Sequence, residues 1–184
     1  IVRQLMELGR RHNVEKEWTV LNDLVQAAQA LVEEDLEQRG IVLETALPRP
    51  SPRLLANGQQ LVQVLTNLLR NAVQAEGTRR VRLSAESRGE QLRLRLEDDG
   101  DGIREQDKPQ VFDPFFTTKP VGQGSGLGLS MVHRIINDHG GTITVFDSDL
   151  GGAGFLVTLP LEDSLADGRS VTPVNEPPIQ GRQT

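Results

Sequence analysis

Apolar residues recur along the chain in two rhythms, one helical and one alternating, and the switches between them outline the elements. Ile1, Leu5, Leu8 and His12 fall at spacings of four, three and four, one stripe of a helix about 30 Å long if it continues to Val20. The stripe reads as one seam of a helical hairpin or coiled coil whose other helix is missing. A second helical pattern starts at Asn22, a residue suited to N-capping, places Leu24, Val25, Ala28, Leu31, Val32 and Leu36 on one side, and stops at Gly40. The short strand IVLETAL then runs into Pro48, Pro50 and Pro52. Asn57 stands where it can cap a third helix, with Leu61, Leu65, Leu68, Ala72 and Ala75 as its apolar face and Gly77 as its end.

Period-two alternation in VRLSAES and QLRLRLED, joined at Arg88-Gly89-Glu90, predicts a β-hairpin. From Gly100 to Gly128 the chain is rich in Gly, Pro, Asp and Thr with Phe interleaved, too long for a connector and therefore a candidate functional loop. A helix from about Leu127 to His139, ended by Gly140-Gly141, and the strands TITVFDS and GFLVTLPL complete the domain. After Leu161 the apolar pattern almost disappears, which predicts a disordered tail or linker. The organisation expected is residues 1–20 as part of a helical hairpin, 21–162 as one globular domain and 163–184 as the tail.

Composition narrows the functions. With 36% hydrophobic and 25% charged residues the chain can form a core. No run approaches the roughly 18 apolar residues of a membrane span, and the start has no signal-peptide stretch. The absence of an initiator Met suggests a piece of something longer, and the cytoplasm is the expected compartment. Without Cys there is no disulfide, thiolate metal site or cysteine nucleophile, and three scattered His make zinc an unpromising cofactor. A net charge of −6 argues against a nucleic-acid surface, so an anionic ligand has to be held by local groups.

Four stretches offer such groups. Gln60, Gln63, Asn67, Asn71 and Gln74 fall at helical spacings along one ridge of the third helix, beside its apolar face, and neutral amides in that number suggest the wall of a polar cavity. Leu92, Leu94 and Leu96 face inward, and alternation puts Asp98 on the same side while Asp99 points away; a carboxylate there needs donors. Gly100 and Gly102 precede the long loop, and Gly122, Gly124, Gly126 and Gly128 follow it into a helix, a pattern that lets backbone N–H groups approach phosphate. FDPFFTTK supplies apolar anchors, hydroxyls and the cation Lys119.

Taken in order, NLLRNA, DDGDGI, FDPFFTTK and GSGLGL resemble the N, G1, F and G2 boxes of bacterial sensor histidine kinases of the nitrogen-regulation-like subgroup. The resemblance covers roughly Asn22 to Leu161 and makes the leading helix the end of the dimerisation and phosphoacceptor hairpin. It implies the ATP-binding fold shared with gyrase, the MutL proteins and the large heat-shock chaperones, an α+β two-layer sandwich with a mixed sheet and helices on one face. It implies that Asn71 ligates Mg2+, that Asp98 accepts from the adenine amino group, that Gly100 and Gly102 shape the adenine end, and that Gly124, Ser125, Gly126, Leu127 and Gly128 meet the phosphates, with Lys119 as a lid cation. Asn67 stands where hydrolysing relatives carry a water-activating Glu, and an amide can position a ligand but not deprotonate one. The activity implied is therefore transfer of the ATP γ-phosphoryl group to a histidine of a dimerisation domain and onward to a response-regulator Asp, in a protein that is a homodimer at full length.

The chain departs from the family in its acceptor. His12, His133 and His139 do not stand in the expected acidic and Pro context, so His12 reads as packing or partner contact, the other two as structural, and this chain alone is expected not to phosphorylate itself. Gln74 stands where many relatives have a cation near the phosphates, with Arg70 as the nearby substitute. The alternative is a non-catalytic nucleotide-sensing or dimerisation module of the same fold.

Overall fold

A computed structural model of the chain describes residues 15–119 and 124–161; His12 and the leading stripe, Gly122 and the tail lie outside them. Among the described residues the elements are β1 (Glu17–Val20), α1 (Leu21–Ala30), α2 (Glu33–Arg39), β2 (Val42–Ala46), β3 (Arg53–Ala56), α3 (Gly58–Gln74), β4 (Arg80–Arg88), β5 (Gln91–Asp98), a 3-10 turn (Lys108–Gln110), α4 (Gly128–Asp138), β6 (Thr142–Asp147) and β7 (Ala153–Pro160).

Five strands form a mixed sheet in the order β2-β4-β5-β7-β6, with β2 parallel to β4 and the remaining pairs antiparallel. The hairpin β4-β5 turns on Gly89-Glu90, and Gly89 takes φ +55°, as a two-residue turn between twisted strands requires. Leu83 pairs with Leu96, Leu96 with Phe155 and Phe155 with Val145, so one apolar row crosses four strands. Over that face lie α1, α3 and α4, whose Leu21, Leu24, Leu61, Leu65, Leu68 and Ile136 are buried in the same layer. Full burial of each such leucine contributes about 1.5–3 kcal/mol. The result is the two-layer α+β sandwich expected from the sequence. No helix among the described residues is long and apolar enough to cross a membrane.

Two features near the start differ from the sequence reading. Residues 17–20 are a strand, not the end of a helix: Glu17–Val20 pairs antiparallel with Arg53–Ala56, and the Arg53 guanidinium lies 5.3 Å from the Trp18 ring centroid. An aromatic and two β-branched residues suit a pleated pairing better than a helix terminus. Asn22 does not cap the next helix. The helix begins at Leu21 behind Val20, which makes no side-chain cap, while Asn22 Oδ1 accepts from the Ser51 hydroxyl at 3.0 Å and the Asn22 N–H donates to Ser51 Oγ at 3.1 Å. The helical pattern also divides into α1 and α2 at Leu31-Val32, and Gly40 ends it in the left-handed conformation at φ 63°.

Asn57 caps α3 as expected, its Oδ1 accepting from the Gln60 N–H at 2.9 Å. The backbone N–H of Asn57 donates in turn to Nε2 of His139, the residue that ends α4, at 3.1 Å, and His139 Nδ1 lies 2.8 Å from the Ile135 carbonyl. One ring nitrogen accepting and the other donating requires a neutral imidazole. Burial holds His139 below the ordinary histidine value, Lys16 adds to the effect, and the Ile135 contact and Asp138 oppose it. A group whose folded pKa is depressed contributes its full stability above the unfolded value and loses it as pH falls toward the folded one. Melting temperature should therefore fall more steeply for the wild type than for His139→Gln as pH is lowered below about 6.5; equal slopes would show that His139 does not carry this acid sensitivity.

Candidate functional site

The central strand β5 delivers Leu92, Leu94, Leu96 and Asp98 to the helix-covered face, and Asp98 is only 2% exposed. A carboxylate in that position is costly unless donors meet it. Its Oδ1 accepts from the Gly100 N–H at 2.9 Å and the Ala153 N–H at 3.1 Å, and the Asp98 carbonyl accepts from the Gly152 N–H at 3.1 Å. Among the described residues nothing donates to Oδ2, which leaves it as a spare acceptor. Burial raises the pKa of Asp98 above the ordinary carboxylate value; the two N–H bonds work against the rise, and Asp101 and Asp99 add to it. Asp99 points the other way, as the alternation predicts. Its Oδ1 accepts from the N–H groups of Arg79 and Arg80 at 2.7 and 2.8 Å, and although burial pushes its pKa up, these bonds bring it below the ordinary value.

Two glycines beside Asp98 are fixed by close packing. A Cβ on Gly152 would enter the Asp98 carboxylate, and one on Gly100 would come within 2.6 Å of Thr78 Oγ1 and 2.8 Å of Ala75 Cβ. Gly102 takes φ +71° beside the Gly152 backbone. Asp101 Oδ1 accepts from the Glu76 N–H at 3.1 Å, which ties the loop after β5 to the end of α3. Buried Thr78 Oγ1 has no hydrogen-bond partner.

Ala75 closes α3, and Asn67 lies eight residues earlier, a rise of about 12 Å along the helix axis. At that far end Asn67 meets the start of α4: a Cβ on Gly128 would lie 3.9 Å from Asn67 Oδ1. Asn71 is half-buried on the same ridge between the two ends. The ridge itself divides. Gln63 Nε2 lies 2.8 Å from Met131 Sδ, so this part of the ridge packs against α4, while Asn67 approaches Gly128 and Gln74 meets Lys119. Gln74 Oε1 accepts from Lys119 Nζ at 2.7 Å. Arg70 is exposed.

The long loop is held at several points. Phe112 stacks on His133 with ring centroids 5.4 Å apart and meets Phe155 edge-on at 6.4 Å. Lys108 Nζ reaches Glu105 and Asp147 at 2.6 and 2.8 Å, fastening the loop to the sheet edge. Buried Leu127 anchors its far end. Phe115 is the exception: it is 65% exposed at φ 68°, its N–H donates to the Gly126 carbonyl at 2.9 Å, and a Cβ on Gly126 would come within 2.6 Å of the Phe115 Cα. Gly126 at φ +64° is thus required by both conformation and contact. Gly124 lies against Thr117 Oγ1, and the Leu127 N–H donates to Ser125 Oγ at 3.3 Å.

The structure therefore joins Asp98, Gly100 and Gly102 at one end and Asn67 and Gly128 at the other, with Lys119 brought to Gln74 between them. Gly152 and Ala153 were not singled out from sequence, although the Gly151-Gly152 pair before β7 is a visible signal; Thr78 carries none. The donor set suits an elongated ligand with a hydrogen-donating base at one end and phosphates at the other. Among the described residues no group of three His, Cys, Asp or Glu could hold a metal. A lone amide carbonyl such as that of Asn71 fits a hard cation that keeps waters and arrives with phosphate oxygens, as Mg2+ does.

Comparison with known proteins agrees with this geometry. Residues 56–163 match the family described as histidine kinase-, DNA gyrase B-, and HSP90-like ATPase. The sensor histidine kinase ZraS of Escherichia coli K12 is 34% identical over 168 residues, covering 91% of this chain and 36% of ZraS, so the chain spans about a third of that relative's length. The nucleotide-free catalytic domain of histidine kinase ThkA superposes with a TM-score of 0.73 at 33% identity, covering 80% of this chain and 96% of that domain. ThkA in complex with the response regulator TrrA gives 0.75 at 29% identity, covering 88% and 46%. Full-length ShkA in complex with AMPPNP gives 0.75 at 27% identity, covering 86% and 34%. With a buried acceptor, glycine-shaped loops and an amide-bearing helix on this fold, the chain belongs to the histidine kinase-, gyrase B- and HSP90-like family, as an ATP-binding catalytic domain of the sensor histidine kinases.

Proposed function

We propose that the domain binds ATP with Mg2+ and passes the γ-phosphoryl group to a histidine on a dimerisation domain, from which it moves to an aspartate of a response regulator. The observation that carries transfer over hydrolysis is the composition of α3: the segment GQQLVQVLTNLLRNAVQ contains no Asp or Glu, and Asn67 is an amide. Nothing on this wall is basic enough to deprotonate water. The reading has the P–O bond to ADP break as a P–N bond to imidazole forms, with rate governed by alignment.

In this reading Asp98 Oδ2 accepts from the adenine amino group, and the backbone of Gly100 and Gly102 borders the base. Asn67 and Asn71 orient the phosphate end, and the free N–H groups at the start of α4, with Gly124, Ser125, Gly126, Leu127 and Gly128, face the phosphates. Lys119 exchanges Gln74 for phosphate oxygen. Mg2+ on the Asn71 carbonyl would neutralise charge on the transferred group. The acceptor domain and the regulator are its partners, in a full-length homodimer working on the cytoplasmic side; a response regulator as partner is supported by the ThkA–TrrA complex.

Two variants separate the roles. Asp98→Asn should weaken ATP and ADP alike, by about tenfold to a hundredfold for loss of one buried charge-assisted bond; unchanged ADP affinity would remove Asp98 from adenine recognition. Asn71→Ala should abolish the Mg2+ dependence of ATP binding while leaving adenosine binding intact, and its persistence would move the metal elsewhere. For the activity, the chain is mixed with [γ-32P]ATP and a dimerisation fragment carrying an acceptor histidine. Acid-labile label on the fragment, lost in Asn71→Ala, is expected, and ATP binding with no transfer by the wild type would favour a nucleotide-sensing module.

A further inference from the structure

The end of α2 bears on the site although no sequence motif includes it. Arg39 closes α2, and its Nη1 donates to the Val73 carbonyl at 3.2 Å, one residue before Gln74. Gln74 Oε1 receives Lys119 Nζ at 2.7 Å. Two cations from distant parts of the chain thus meet neighbouring residues in the last turn of α3, one turn beyond Asn71. Val73 takes one of the five N–H groups of a guanidinium, and among the described residues no other protein group takes the rest. The two charges also act on each other: burial first, and then the field of Arg39, holds Lys119 below the ordinary lysine value, with Asp101 opposing. Like charges gathered beside an amide ridge that carries no carboxylate are relieved by an anion.

We propose that Arg39 and Lys119, held on adjacent residues at the end of α3, form a divided cation site for the ligand's polyphosphate, with Arg39 as a phosphate-binding residue. The inference rests on the adenine-nucleotide reading given above. Arg39 and Arg70 are both exposed, and it is Arg39, tied to Val73 and acting on Lys119, that stands as the cation compensating for the neutral Gln74. Its planar fork offers paired donors to two phosphate oxygens and stays charged at any working pH. The alternative is that Arg39 only caps the C-terminus of α3, where a positive charge is favourable in its own right.

Calorimetric titration of ATP, ADP and adenosine, with Mg2+ present, into the wild type, Arg39→Gln and Arg39→Lys separates the two. Arg39→Gln should weaken ATP about fivefold to tenfold, the size of a partly exposed charge-assisted contact, weaken ADP less and leave adenosine unchanged. Arg39→Lys, which keeps the charge and can still reach the Val73 carbonyl, should recover part of the ATP loss, and the gap between wild type and Arg39→Gln should shrink as salt is added. Equal weakening of ATP and adenosine, or no change in ATP in either variant, would overturn the proposal and leave Arg39 as a helix cap. A wild type that binds none of the three would instead overturn the adenine-nucleotide reading, and the cation site with it.

Discussion

The carboxylate of Asp98 ends a strand whose other inward residues are leucines, so the chain carries a charge into an apolar layer and has to meet it there. It does so with backbone N–H groups from both sides, Gly100 from the strand's own continuation and Ala153 from the start of β7. Those two bonds use one oxygen and leave the other without a donor among the described residues. Much of the surrounding sequence follows from this arrangement. Gly152 has to be glycine because any side chain would occupy the carboxylate, and Gly100 because Ala75 and Thr78 stand behind it. The G1 loop and the turn before β7, far apart in sequence, become one wall because the same acid binds both.

The other end of the site depends on α3. Its apolar stripe fixes the helix on the sheet, and the ridge beside that stripe then runs between the Gly100 loop and the start of α4. The helix supplies amides and no carboxylates, which suits the proposed role of orienting phosphates without activating water. Cations come to this wall from elsewhere, Lys119 from the long loop and Arg39 from α2. Such a division suits a site in an acidic chain: local positive charge is placed by the fold and is invisible in the net charge. The loop itself is fastened at Phe112, Lys108 and Leu127, and it leaves Phe115 exposed at a left-handed backbone angle, held by its bond to Gly126.

What could be read from the sequence was what local chemistry determines. The alternation of β4 and β5, the Asn57 cap, the stop at Gly40 and the inward direction of Asp98 each depend on residues within a few positions, and each agrees with the structure. The box motifs named the family because their order is specific even where each is weak alone. The misreadings involve distant pairings. Trp18 to Val20 form too short a run to announce a strand, and their partner β3 lies beyond two helices. Asn22 had the right residue type for a cap, but Ser51 claims its side chain. Gln63 could not be told from Asn67 by spacing, since only the packing of α4 decides which amides face the site. Arg39 and Thr78 carry no local pattern at all, and their positions matter only once α2 and β5 are set against the end of α3.

In the proposed function the nucleotide site is shaped by Asp98 and completed by a divalent cation at Asn71. Calorimetric titration of the chain with a non-hydrolysable ATP analogue, with and without Mg2+, tests it most directly. Binding in the micromolar to sub-millimolar range that tightens when Mg2+ is added is the predicted result. No heat of binding at millimolar analogue in either condition would contradict the account.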